Sequence, residues 1–124
     1  MVQAIGIDLV EIKRIESSLK KYGHRFVSRI LGQDELATFD SRADKAAYLA
    51  GRFAAKEAII KSLGRFLNVR PGYASLQILN DDSGNPYLAE TGEAGQIFAD
   101  RSCFLSISHE RHYAAAVAVI AGNK

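Results

Sequence analysis

The stretch ADKAAYLAGRFAAKEAIIKSLG, residues 43–64, decides the fold. It reads as the longest helix of the chain, about residues 43–63, with Gly64 as its stop. At about 100° per residue, Ala46, Ala47, Ala50, Phe53 and Ala54 make a wide apolar face, with Leu49 and Ile60 at its edge. Lys45, Arg52 and Lys56 are expected on the solvated side. Glu57 and Lys61 fall in the middle of the apolar face. Four residues apart, they can form an ordinary ion pair. Their position gives the alternative: ionisable groups on an apolar face must be paired, metal-bound or lining a cleft, because unpaired burial is costly.

Upstream, residues 2–10 are apolar on both faces, with Ile5, Ile7 and Leu9 alternating against Val2, Ala4 and Gly6, the pattern of a buried strand. Asp8 interrupts it and needs a partner. It can cap the next helix, although Leu9 and Val10 intervene before Glu11, or it can serve a site. Gly6, on the same face, leaves room for a ligand or another backbone to approach. An amphipathic helix follows over Ile12–Tyr22, stopped by Gly23. Ile12, Ile15 and Leu19 line one side of it, and Lys13, Arg14, Lys20 and Lys21 the other. Shorter helices are expected at 25–31 and 34–39.

Downstream, residues 76–80 and 86–89 read as strands joined across Asp82-Ser83-Gly84-Asn85. Residues 92–101 have helical character despite two glycines. Residues 103–108 and 113–120 form a hairpin around His109-Glu110-Arg111-His112. The run Ala114-Ala115-Ala116 suits a close-packed central strand. This mixed order predicts an α+β fold.

The 124 residues are expected to form a single domain, 48% hydrophobic and 24% charged, with a net charge of +2. Cys103 is the only cysteine, which excludes an internal disulfide and any multi-cysteine metal site. No apolar run nears the roughly 18 residues of a membrane-spanning helix. Met1-Val2-Gln3-Ala4 has no basic region leading into an apolar one, so a cytoplasmic protein is expected. Lys13, Arg14, Lys20, Lys21, Arg25 and Arg29 crowd one segment. That clustering suits an acidic partner or a phosphate-rich ligand, and equally a solvated helix face.

Two carboxylates, Asp8 and Glu57, without a cysteine cluster suit a hard cation such as Mg²⁺, which takes one or two carboxylates plus substrate phosphates and water. Lys61 beside them supplies a point charge for phosphate. His109 ends a strand on the face of Cys103, Leu105 and Ile107, with the Ser106 and Ser108 hydroxyls on the alternate face. His24 and His112 read as surface residues. Nucleotide-binding glycine loops and the Gly-x-Ser-x-Gly elbow are absent from the sequence.

Three segments together resemble the holo-acyl-carrier-protein synthases, the small bacterial 4′-phosphopantetheinyl transferases. They are residues 6–15 (GIDLVEIKRI), residues 51–58 (GRFAAKEA) with Lys61 and Gly64, and residues 106–109 (SISH) running into Tyr113-Ala114-Ala115-Ala116. The resemblance spans nearly the whole chain and implies an antiparallel sheet packed against a long helix. It implies Mg²⁺ held by Asp8 and Glu57, with Lys61 assisting at the phosphates of coenzyme A. The serine of an apo-acyl carrier protein would attack the β-phosphorus, its proton taken by a metal-bound water, Asp8 or Glu57. Contacts to coenzyme A fall on Arg52, Lys61, Gly64, Pro86, Ser106, Ser108 and His109. Arg14, Lys13, Lys21 and Arg25 are the implied docking set for the carrier. A homotrimer with sites between subunits and a place in fatty acid biosynthesis are implied too, with no nucleic acid or membrane partner. Residues 65–71, Ser75, Gln77 and Asn85 depart from the family pattern, around the expected nucleotide end. A metal-dependent phosphohydrolase, or a basic adaptor for acidic proteins, are the competing readings of the same residues.

Overall fold

A computed structural model describes residues 1–68 and 70–122, so Val69, in the 65–71 turn, lies outside the described residues. Strand β1 (Val2–Glu11) runs directly into helix α1 (Ile12–Tyr22). Gly23 ends that helix with a φ of 56°, a left-handed conformation that glycine adopts without penalty. Helices α2 (His24–Ile30), α3 (Gln33–Ser41) and α4 (Lys45–Leu63) follow. A 3₁₀ turn at Tyr73–Ser75 leads to β2 (Ile78–Asn80) and β3 (Pro86–Leu88), then α5 (Gly92–Ile97), β4 (Arg101–His109) and β5 (Tyr113–Gly122). Strands β1, β5 and β4 form an antiparallel sheet with β5 central, and β2 pairs with β3 as a separate hairpin. This is the α+β arrangement expected, a sheet packed on a long helix.

Small residues decide how closely helix and sheet meet. Ala114, Ala116 and Ala118 of β5 and Ala50, Ala54, Ala55 and Ala58 of α4 are all at most 1% exposed. A Cβ on Gly6 would stand 2.0 Å from the Ala58 carbonyl oxygen. What Gly6 makes room for is therefore the backbone of α4. Leu49, Ile59 and Leu63 are buried beside these alanines, each worth about 1.5–3 kcal/mol of burial.

The expected solvated side of α4 is corrected by the structure. Arg52 is 7% exposed and Lys56 is fully buried. Helices α1, α2 and α3 pack on the helix away from the sheet, so most of its circumference is covered. Lys56 Nζ donates to Glu35 Oε1 at 2.6 Å, Ile30 O at 2.5 Å and Tyr73 O at 3.0 Å. The buried Glu35 carboxylate also accepts the Gly32 and Ile78 amides, at 3.0 and 2.9 Å. This polar node ties α2, α3, α4, the 3₁₀ turn and β2 together. Gln77 caps α3, its Oε1 accepting the Asp34 amide at 2.7 Å.

The outer face of the sheet differs from the buried strand expected. Only the inner face meets α4. On the outer face Ile5, Ile7, Leu9 and Phe104 are 66, 63, 65 and 59% exposed. The register sets Ile5 beside Val119 and Phe104, and Ile7 beside Val117 and Ser106, giving a largely apolar surface with the Ser106 and Ser108 hydroxyls along its β4 side. Among the described residues, no helix is long and apolar enough to cross a membrane.

Candidate active site

Strand alternation turns Asp8 to the inner face, in register with Ala116 and then Ile107. There it meets α4, and Lys61 Nζ donates to its Oδ1 at 2.8 Å and to Ile7 O at 3.1 Å. The Asp8 hydrogen bond raises the Lys61 ammonium above its ordinary pKa, so the charge is firm at neutral pH. Asp8 does not cap α1: the cap position is Glu11, without a side-chain bond.

Glu57 lies on α4, its side chain 20% exposed. It does not pair with Lys61. Arg70 Nη2 donates to Glu57 Oε1 at 2.9 Å, and the Tyr73 hydroxyl donates a short hydrogen bond to the same oxygen. Arg70 also donates to the Tyr73 hydroxyl and stacks 5.1 Å from its ring centroid. The Tyr73 ring packs edge-on to Phe53 at 5.3 Å. Burial first, then the Glu57 bond, pushes the Tyr73 phenol up to about 12, so it is a proton donor at neutral pH.

Asp8 and Glu57 line one cleft of about 400 Å³, together with Arg14, Phe26 and Phe53. One oxygen of each carboxylate, Asp8 Oδ1 and Glu57 Oε1, carries the hydrogen bonds described. Asp8 Oδ2 and Glu57 Oε2 receive none from the described residues. No group of three or more histidines, cysteines or acids gathers among the described residues. A two-carboxylate donor set with free oxygens in an open cleft fits Mg²⁺, which retains water and phosphate ligands, better than an ion needing an all-protein cage.

Arg14 lines this cleft, and Arg25 lines the adjoining hollow with Tyr22, Phe26 and Arg29. Lys13 and Lys21 lie elsewhere, Lys13 in a hollow beside Arg111 and His112, and Lys21 over the Tyr22 ring. The residues expected around coenzyme A stand in separate places within one chain. Lys61 is beside Asp8. Arg52 donates to Ile78 O and Asn80 Oδ1, both at 3.1 Å, and Asn80 pairs with Pro86. Ser106 and Ser108 lie on the exposed outer face, with His109 at the exposed end of β4. Gly64 caps α4 in a right-handed conformation, so its place there does not rest on glycine's left-handed freedom. The sequence alone assigns no site role to Arg70, Tyr73, Phe26 or Phe53. Phe53 stands out only as part of the apolar face of α4, and Arg70 only as one of residues 65–71, which depart from the family pattern.

The chain is thus an α+β protein whose antiparallel sheet and long helix share a cleft lined by Asp8, Glu57 and Arg14. Its family is definite: residues 4–118 match the model of the 4′-phosphopantetheinyl transferase superfamily, and the chain belongs to it. It is 43% identical to the holo-[acyl-carrier-protein] synthase of Protochlamydia amoebophila over 119 residues, 96% of this chain and 98% of that protein. Among solved structures, it resembles holo-[acyl-carrier-protein] synthase from Neisseria meningitidis with a TM-score of 0.86 and 34% identity, over 97% of this chain and 98% of that one. The Bacillus anthracis enzyme, solved in complex with coenzyme A (3′,5′-ADP), gives a TM-score of 0.82 and 33% identity over 99% of each chain.

Proposed function

We propose that this chain, as a single domain, transfers 4′-phosphopantetheine from coenzyme A to a serine of an apo-acyl carrier protein. The observation that carries the reading is the cleft that Asp8 and Glu57 share, rimmed by Arg14, in a chain 43% identical to a holo-[acyl-carrier-protein] synthase. The serine oxygen forms a bond to the β-phosphorus, and the bond from that phosphorus to the bridging oxygen breaks. Adenosine 3′,5′-bisphosphate leaves, and the serine proton passes to a base. Asp8 and Glu57 would hold Mg²⁺, which when bound would supply charge neutralisation at the diphosphate. Lys61 keeps a positive charge beside Asp8, where the diphosphate oxygens are drawn. Arg14 and Arg25 attract the acidic carrier to the mouth of the cleft. Cytoplasmic fatty acid biosynthesis is the setting this chemistry suits. Incubation with coenzyme A, Mg²⁺ and apo-carrier, read by intact mass, tests it. The carrier gains one phosphopantetheine; coenzyme A breakdown with an unmodified carrier would mean hydrolysis and overturn the reading.

Docking by charge has its own test. Arg14→Glu should raise the KM for carrier roughly tenfold, with little change in that for coenzyme A. The native KM should also rise with salt, since screening acts over about 8 Å at physiological ionic strength. Equal effects on both substrates would count against docking at Arg14.

A homotrimer is part of the same proposal. The apolar outer face is larger than scattered surface hydrophobics explain, and a partner subunit would bury it. Ser106 and Ser108 on that face would then meet a neighbouring copy, which accounts for their separation from Asp8 within one chain. Light scattering should report three chains, and Ile7→Glu should yield monomers with little activity. A fully active native monomer would refute the assembly.

A further inference from the structure

Glu57 Oε1 accepts hydrogen bonds from two groups of different kind, a neutral phenol and a guanidinium. Tyr73 is anchored: its backbone oxygen accepts the buried Lys56 ammonium at 3.0 Å, and its ring packs on Phe53. Arg70 is not anchored in this way. Its side chain is 55% exposed, and its hydrogen bonds go only to Glu57 and the Tyr73 hydroxyl among the described residues. We propose that Arg70 and Tyr73 are positioning residues that set the divalent-cation affinity of Glu57 in opposite directions. This rests on the reading that Asp8 and Glu57 hold a divalent cation.

The physical argument separates the two donors. The phenol carries no charge and engages Oε1, so it fixes the carboxylate plane while Oε2 stays open to a cation. Hydrogen bonds of this kind to a ligating group typically raise metal affinity, and losing one costs about 10–100-fold. The guanidinium also orients the carboxylate, but its positive charge repels a cation beside Glu57 and is itself a rival for that carboxylate. Its exposure lets it swing into solvent at small cost when displaced. Arg70 therefore occupies Glu57 in the free enzyme, and the metal must replace its charge.

Calorimetric titration with Mn²⁺ on the full chain, without coenzyme A, tests this directly. Tyr73→Phe removes one hydroxyl and should weaken Mn²⁺ binding roughly tenfold. Arg70→Gln should tighten it roughly three- to tenfold, an effect that shrinks at high salt. Arg70→Lys, which keeps the charge, should return binding toward the native value. A change missing from either the Tyr73→Phe or the Arg70→Gln protein, or both moving the same way, overturns the proposal while leaving the metal reading intact. No Mn²⁺ binding by the native protein at millimolar concentrations overturns the metal reading and this inference with it.

Discussion

Lys56→Met is expected to destabilise the protein by about 3–5 kcal/mol, the cost of leaving one member of a buried ion pair without its partner. Lys56 and Glu35 are each fully buried, and the ammonium donates to three oxygens. Burial holds the Lys56 pKa below its ordinary value, and Glu35 opposes that shift only in part. Methionine fills similar space but leaves the Glu35 carboxylate in the core with only the Gly32 and Ile78 amides. It also strips a donor from Ile30 O and Tyr73 O. Against a typical total of about 5–15 kcal/mol, the loss is a large share of stability. Urea denaturation measures it. A second change, Glu35→Gln, should recover part of the loss, because the uncompensated charge is then gone. A Lys56→Met protein with the native unfolding midpoint would refute this account of the node.

Local signals were legible, and distant partners were not. Helix α1 over Ile12–Tyr22 follows from one apolar stripe and Gly23, all within a few residues. The alanine run marks β5 as the central strand for the same reason. Lys56 and Arg52 defeat the helical wheel, because a wheel assumes one covered side and α4 has several neighbours. The anomalous residues Asp8 and Glu57 stand out as carboxylates among apolar side chains, and the structure brings them to one cleft. Their partners could not be read: Lys61 turns to Asp8, 53 positions away, rather than to Glu57 on its own helix. Arg70 lies in a turn with no periodicity at all. The outer face of β1 reads as core because an apolar face requires cover, and the sequence does not say whether that cover comes from its own chain.

Asp8→Ala and Glu57→Ala should each lower transfer about a thousandfold or more, since cation charge at a reacting diphosphate is worth several kcal/mol and each 1.36 kcal/mol is tenfold. Folding should survive both changes. Lys61 and Arg70, the cations left behind, have side chains 54 and 55% exposed and can turn to water. Neither acid belongs to the Lys56–Glu35 node, so melting temperatures should move little, in contrast to Lys56→Met. Glu57→Gln separates shape from charge. The amide keeps an oxygen for Arg70 and Tyr73 and fills the same volume, yet it offers a cation no negative charge. It should therefore be nearly as inactive as Glu57→Ala, with the fold at least as stable. The measurement is turnover of carrier by intact mass at saturating Mg²⁺, alongside thermal unfolding of each variant. Folded Asp8→Ala or Glu57→Ala protein turning over near the native rate would remove that carboxylate from the metal site.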